Sequence, residues 1–277
     1  LTMVVGILGA VAQTEVKRMI SFTLVSHIGY MLFGLAIGTA AGIAAVHECG
    51  GPEIAGERDF TLLGALDHGV RVRTGTTVTS VDEVAGRLRV GLSTGESLDV
   101  DAVVAGVGAA PHSELASAAG LLVEDGIVVD EQLRTSDPHI WAAGDCAAVP
   151  DARSGHRVRV ESWRSAHDQA VTVAASMTGG QEPHVAVPWF WSDQYDQMLQ
   201  TAGLPTTAVD EVVRRREDGS LIHFGLDAGG RLVAATSLGR GPVVAKDIRI
   251  AEQLIATHAT PDPAALADPG VALRSLR

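Results

Sequence analysis

The sequence predicts an α/β protein that closes in an α+β domain and is preceded by an apolar, membrane-type helical segment. Three observations carry that prediction. Residues 19–46 hold no Asp, Glu, Lys or Arg. Residues 70–143 break into short apolar or alternating runs separated by Gly-bearing turns. Two later stretches, 162–178 and 243–258, repeat apolar residues at helical spacing.

The apolar segment comes first. A run of 28 uncharged residues is long enough to span a bilayer core as a helix and long for a buried helix of a soluble domain. Gly34, Gly38 and Gly42 recur every fourth residue, a ridge that lets membrane helices approach closely. A second apolar stretch, 1–12, precedes it, and Glu15, Lys17 and Arg18 lie between the two. A basic pair flanked by apolar stretches does not fit a signal peptide, and it places that loop on the cytoplasmic side.

The pattern then changes. Runs at 70–72, 77–81, 88–92 and 98–100 read as a β-meander punctuated by Gly75, Gly86 and Gly95. The continuous apolar run 102–107 reads as a buried strand ending at Gly106 and Gly108. Ser113 is placed to cap a short helix that stops at Gly120. Runs 127–129 and 139–143 read as two more strands, the second ending at Gly144-Asp145. The helix at 162–178 lines up Trp163, Ala166, Ala170, Val173 and Met177 on one face and ends at Gly179-Gly180. Pro183 and Pro188 mark a linker. Three strands follow at 208–214, 221–226 and 232–237, with turns at Asp218-Gly219 and Gly229-Gly230. A closing helix at 243–258 carries Val244, Ile248, Ala251 and Ile255 on one face, and a turn-rich tail ends the chain. The organisation is therefore 1–46, an apolar membrane-type segment; 47–187, an α/β region; and 188–277, an α+β domain.

Composition excludes several classes. The formal net charge is −12, which argues against a nucleic-acid binder, because neutralising phosphates needs a basic face. Two cysteines, Cys49 and Cys146, supply neither a disulfide scaffold nor a Cys-x-x-Cys redox or zinc pair. They fit a reducing compartment.

The strongest local motif is RTSDPHIWAAGD, residues 134–145. It reads as a strand running into a tight Gly turn, with the Asp145 carboxylate delivered at the start of a following helix. Such a carboxylate accepts hydrogen bonds from sugar or ribityl hydroxyls, and a helix N-terminus behind it favours an electron-rich group. Taken alone, Asp at that position also reads as a simple N-cap.

The longer string TSDPHIWAAGDCA resembles the second FAD-binding signature of two-dinucleotide flavoprotein reductases. With GVGAAPHSELASAAGL, VRVESWRSAHDQA and VPWFWSDQYDQMLQTAGL, residues from about 52 onward resemble the oxygenase-coupled NADH:ferredoxin reductases, the family of putidaredoxin and rubredoxin reductases. The resemblance implies a partial FAD/NAD-binding reductase fold over 47–187 and a ferredoxin-reductase-type domain over 188–277. It implies that Asp145 bonds the FAD ribityl chain, with Gly144 allowing close approach. It places Trp163 near the isoalloxazine ring and Trp191 where nicotinamide stacks, and it sets Gly106 and Gly108 near the nicotinamide. Cys146 packs. The implied activity passes electrons from NAD(P)H through FAD to an iron–sulfur ferredoxin, in the cytoplasm or beside the membrane on its cytoplasmic face.

The family also carries two Gly-x-Gly-x-x-Gly fingerprints for the dinucleotide pyrophosphates. GILGAV, GLAIGTAAG and GVGAAP all fail that spacing. In that place GILGAVAQTEVKRMISFTLVSHIGYMLFG resembles the D subunit of multisubunit cation/proton antiporters, where His27 takes a position on a proton path. Two alternatives therefore stand beside the reductase: a non-catalytic fused fragment, and a membrane component of a cation/proton antiporter. The C-terminal module could also serve as an interaction surface.

Overall fold

A computed structural model of the chain describes residues 43–46, 70–105, 110–194, 196–240 and 243–276. Most of the apolar segment, including His27, lies outside the described residues, as do Cys49, Gly106 and Gly108. Among the described residues, no helix is long and apolar enough to cross a membrane. The chain forms two compact units, 1–108 and 109–277.

In the first unit, β1 (Ile43–Val46) pairs in parallel with β2 (Arg71–Thr74). The meander proper is β3 (Val78–Val84), β4 (Arg87–Leu92) and β5 (Ser97–Val100), paired antiparallel in that order. The expected first run thus joins a separate parallel pair and not the meander. The β3–β4 hairpin turns on Ala85 and Gly86, both with positive φ, the backbone that a tight two-residue hairpin demands. Strand β4 buries Val90 and Leu92, whereas every residue of β3 is exposed. The strand expected at 102–107 is not present over 102–105. Those residues have no regular structure, and Val103 and Val104 are exposed. A continuous apolar strand needs sheet neighbours on both edges, and no described strand pairs with this run.

The second unit opens with α1 (Glu114–Ala118). Ser113 precedes it, but its side chain makes no capping bond. A four-stranded sheet follows: β6 (Val123–Glu124), β7 (Gly126–Val128), β8 (Ala147–Asp151) and β9 (His156–Val158). Its β7 and β8 run parallel. The strand expected at 139–143 is reduced to a single bridge between Trp141 and Arg134. Local side chains take the backbone donors here. The Asp130 carboxylate accepts from the Gln132 and Arg134 amides at 2.9 and 2.8 Å, and that of Asp137 accepts from the His139 amide at 2.8 Å. Backbone groups satisfied in that way do not build a ladder. Val129, Leu133, Ala142, Ala147 and Val149 form the small core of this sheet.

Helix α2 (Trp163–Met177) is capped by Ser162, whose hydroxyl accepts from the Ser165 amide at 3.2 Å. Its buried residues are Ser165, Gln169 and Ser176. The apolar face expected from the sequence is mostly on the outside: Trp163 is 49% exposed and Met177 62%, and only Val173 packs on the small core.

The C-terminal domain is a five-stranded antiparallel sheet, not three strands. Its strands are β10 (Trp189–Gln194), β11 (Gln197–Gly203), β12 (Asp210–Arg215), β13 (Leu221–Leu226) and β14 (Leu232–Gly239), in the order β10-β11-β14-β13-β12. Helix α3 (Val243–Ala256) covers it with Val244, Ile248, Ala251 and Ile255, as the helical spacing predicts. Phe224, Ile222, Leu232 and Ala235 meet that helix in one continuous core. The tail contains α4 (Pro263–Ala267), with Asp262 accepting from the Ala264 amide at its start. Its Leu266 is fully buried in the same core.

Candidate functional site

The site is best built outward from Gly144. Its φ of +84° lies in the left-handed region, where only glycine sits without strain. The Ala147 amide donates to the Gly144 carbonyl at 3.0 Å and closes a turn straight into β8. Asp145 therefore occupies a β-turn, not the start of a helix, and the helix-terminus argument for it is withdrawn. The Gly144 amide donates instead to Gln169 Oε1 of α2 at 2.7 Å. Asp145 itself is half-buried, and its carbonyl accepts from Arg159 Nη1 at 3.2 Å. Arg159 is held in turn by Asp125 at 3.1 Å and by Glu161.

Cys146 follows in the turn. Its thiol contacts the Ala143 carbonyl at 3.6 Å, and burial pushes the thiol above its usual pKa. That disfavours the thiolate a redox role requires. Packing is the role the geometry supports.

Trp163 opens α2 with its ring exposed and stacked on His167, centroids 5.4 Å apart. Trp191 lies on β10, partly buried, with its ring 5.3 Å from that of Trp189. The link between helix and strand is Arg164. Its guanidinium sits 5.5 Å above the Trp189 ring and pairs with Glu252 of α3 and with Asp168. The four sequence-predicted residues thus gather around the first two turns of α2: Trp163 within it, Gly144 and Asp145 through Gln169, and Trp191 through Trp189 and Arg164.

Sequence reasoning missed Gln169, Arg164 and Arg159. For Gln169 a signal was present. Ser165, Gln169, Thr172 and Ser176 share one face of an otherwise Ala- and Val-rich helix. A polar stripe of that kind marks a face that bonds to backbone.

Behind this group lies a cavity of about 30 Å³ lined by Asp151, Arg153, Asp168, Gln169, His184 and Val187, among others. It suits one or two waters, not a dinucleotide. His184 faces it with Nδ1 3.1 Å from the Thr172 hydroxyl. Burial, more than the opposing pull of Asp168, holds its imidazole below the usual pKa, and Arg153 adds to that effect. Among the described residues, no three His, Cys, Asp or Glu side chains cluster as metal ligands.

Comparison with known proteins places these elements. Residues 60–170 match the pyridine nucleotide-disulphide oxidoreductase family, and 189–277 match the reductase C-terminal family. From residue 60 onward the chain is therefore of the pyridine nucleotide-disulphide oxidoreductase class, carrying that class's reductase C-terminal domain. Its relatives narrow this to ferredoxin reductases. Rhodocoxin reductase of Rhodococcus erythropolis is 41% identical over 73% of this chain and 47% of its own length. The anthranilate 1,2-dioxygenase system ferredoxin–NAD(+) reductase component of Burkholderia cepacia is 38% identical over 81% of this chain and 54% of its own. The crystal structure of a ferredoxin reductase from Rhodopseudomonas palustris superposes with a TM-score of 0.75 at 35% identity, covering 85% of this chain and 58% of that one. The chain spans about half the length of the curated relatives it matches. Residues 1–48 match a different family, the transmembrane NADH:quinone oxidoreductase/Mrp antiporter proteins.

Proposed function

We propose that residues 52–277 serve an FAD-dependent reductase that passes electrons from NAD(P)H to an iron–sulfur ferredoxin. The observation that carries this is the Gly144–Asp145 turn, set against a helix that opens with an exposed Trp163. The residues fit part of the cofactor. Gly144 places no Cβ in the way of a close approach, and the nearest atom to a built one is 3.7 Å off, so the backbone angle and not crowding selects glycine. The Asp145 carboxylate is an acceptor suited to ribityl hydroxyls. Trp163 and Trp191 offer ring faces to a flavin and to a nicotinamide. Bound FAD would supply the conversion of a two-electron hydride into the single electrons a ferredoxin takes. The chain's own residues bind and orient: Asp145 holds the ribityl side, and Trp163 bounds the ring side. The pyrophosphates are not served in the same way, because neither glycine fingerprint is in the sequence.

The test is the visible spectrum of the purified full chain in mild detergent, with and without added FAD. Flavin bands should survive desalting, and Asp145→Ala should weaken binding about 10- to 100-fold, the worth of hydrogen bonds to a charged group. A chain that releases all added FAD overturns this reading and leaves the non-catalytic fused fragment.

A second reading concerns the amino-terminal segment alone. The uncharged run 19–46 and the family match over 1–48 support membrane association, with the reductase portion on the cytoplasmic side. Flotation of the full chain with phospholipid vesicles, compared with a chain lacking residues 1–46, tests it. An antiporter role rests on the same match and needs partner subunits.

A further inference from the structure

Helix α2 is inside out. Its outward face carries Trp163, Val171 and Met177, and its inward face carries Ser165, Gln169 and Ser176. The inward polar residues are not idle. Ser176 Oγ accepts from the Trp141 indole at 2.9 Å, and Gln169 Oε1 accepts from the Gly144 amide at 2.7 Å. Seven residues of helix rise by about 10.5 Å, and three extended residues span about 10 Å. The two bonds are therefore in step. The segment 141–144 is stretched along α2 in the opposite direction and pinned at both ends. This accounts for the polar inward face: it takes the place of a strand partner that 139–143 lacks.

Of the two pins, only Gln169 reaches the turn. Its side chain is 2% exposed. Its amide nitrogen donates to Ser165 Oγ at 3.0 Å, and the Ser165 amide donates to the capping Ser162 hydroxyl at 3.2 Å. Both ends of the Gln169 amide are thus engaged, which fixes its orientation. The line Ser162–Ser165–Gln169–Gly144 connects the cap of α2, next to Trp163, with the turn that carries Asp145.

We infer that Gln169 is a positioning residue for the flavin half-site, holding the Gly144–Asp145 turn at a set distance from the first turn of α2 through the 2.7 Å bond to the Gly144 amide. It acts through Gly144 and need not touch the flavin itself. The inference rests on the functional reading above for the identity of the ligand and on the hydrogen bonds for the positioning.

Three full-chain variants separate the roles. Gln169→Met keeps the volume and removes the acceptor. Gln169→Glu keeps an acceptor oxygen. Trp141→Phe removes the pin at Ser176 and leaves the one at Gly144. Two quantities are read: hydrogen exchange of the Gly144 amide without flavin, and the Kd for FAD. Gln169→Met should speed exchange and raise Kd, each by about tenfold, the effect of one lost buried hydrogen bond. Gln169→Glu should recover most of the affinity. Trp141→Phe should leave Kd within about twofold, whatever it does to thermal stability. Equal loss of FAD affinity in Gln169→Met and Trp141→Phe would mean general loosening and would overturn the inference, as would an unchanged Kd in Gln169→Met. A wild-type chain that takes up no FAD overturns the functional reading instead. Exchange at Gly144 then decides the positioning alone: acceleration in Gln169→Met supports it, and no change overturns it.

Discussion

At Arg214 a full positive charge sits 2% exposed inside the C-terminal domain. No carboxylate pairs with it there. Its three donor nitrogens go to backbone carbonyls: Nε to Leu266 at 2.7 Å, Nη1 to Val271 at 3.0 Å and Nη2 to Ala265 at 2.9 Å. Burial and the neighbouring Arg216 depress its pKa, and Asp268 partly offsets them. An arginine nonetheless stays charged, so the carbonyls must solvate it. Replacing it by methionine keeps much of the volume but strands those carbonyls, and should cost about 3 kcal/mol. Urea unfolding followed by far-UV circular dichroism measures this. A loss below about 1 kcal/mol would mean that water replaces the guanidinium. The sequence shows Arg214 only as the end of a strand, because its three acceptors lie 51 to 57 residues later and carry no side-chain signal. Gly144 and Asp145 are legible for the opposite reason. Their geometry is local, and a Gly-Asp turn is written in adjacent letters.

Among the elements, α2 is the most informative. Its length, its Ser162 cap and its Gly179 end are all readable from spacing and residue type. Its orientation is not. Apolar periodicity says which residues share a face but not that hydrogen bonds to an extended segment will claim the opposite one. The outward Val171, 60% exposed, and Met177 consequently support little of the fold. Changing both to lysine should shift stability by less than about 0.5 kcal/mol per site and reduce self-association, as seen by thermal melting and light scattering. A collapse of the melting transition would show that this face is covered in solution. Strands β10 and β11 were hidden by a related effect. Gln200, Thr201, Thr236 and Ser237 are buried in this sheet, so the apolar alternation that reveals β13 and β14 is broken. The Thr201 and Thr236 hydroxyls bond each other at 3.0 Å across the β11–β14 pair and satisfy that burial.

For the whole molecule, the boundary between compact units falls at Gly108. Residues 102–105, just before it, are exposed and without regular structure. Brief digestion with proteinase K should therefore cut within about residues 101–113 and leave a fragment reaching from there to residue 277. That fragment should resist further cleavage at the 183–188 linker. Arg164 bonds Trp189 and Glu252 across it, and Arg153 bonds the Ala186 carbonyl within it at 2.8 Å. Mass spectrometry of the digest checks both statements, and a dominant product beginning near residue 188 would contradict the second. This is the scale at which the sequence is least legible. Composition divides the chain at 46 and prolines mark 183–188, yet whether a segment is a hinge or a seam depends on contacts between residues far apart in the chain.

The three carbonyls that receive Arg214 also set a schedule for biosynthesis. They leave the ribosome 51 to 57 residues after the arginine. At ordinary elongation rates that is a delay of about 3 to 10 s. During this interval β12 and β13 are already outside, but the guanidinium has no acceptors and Leu266 has not arrived to close the core. The sheet therefore cannot finish burying Arg214 while those residues are still being made. Its completion is timed by the emergence of α4, and until then the nascent domain presents an open apolar edge to whatever chaperones attend the exit tunnel.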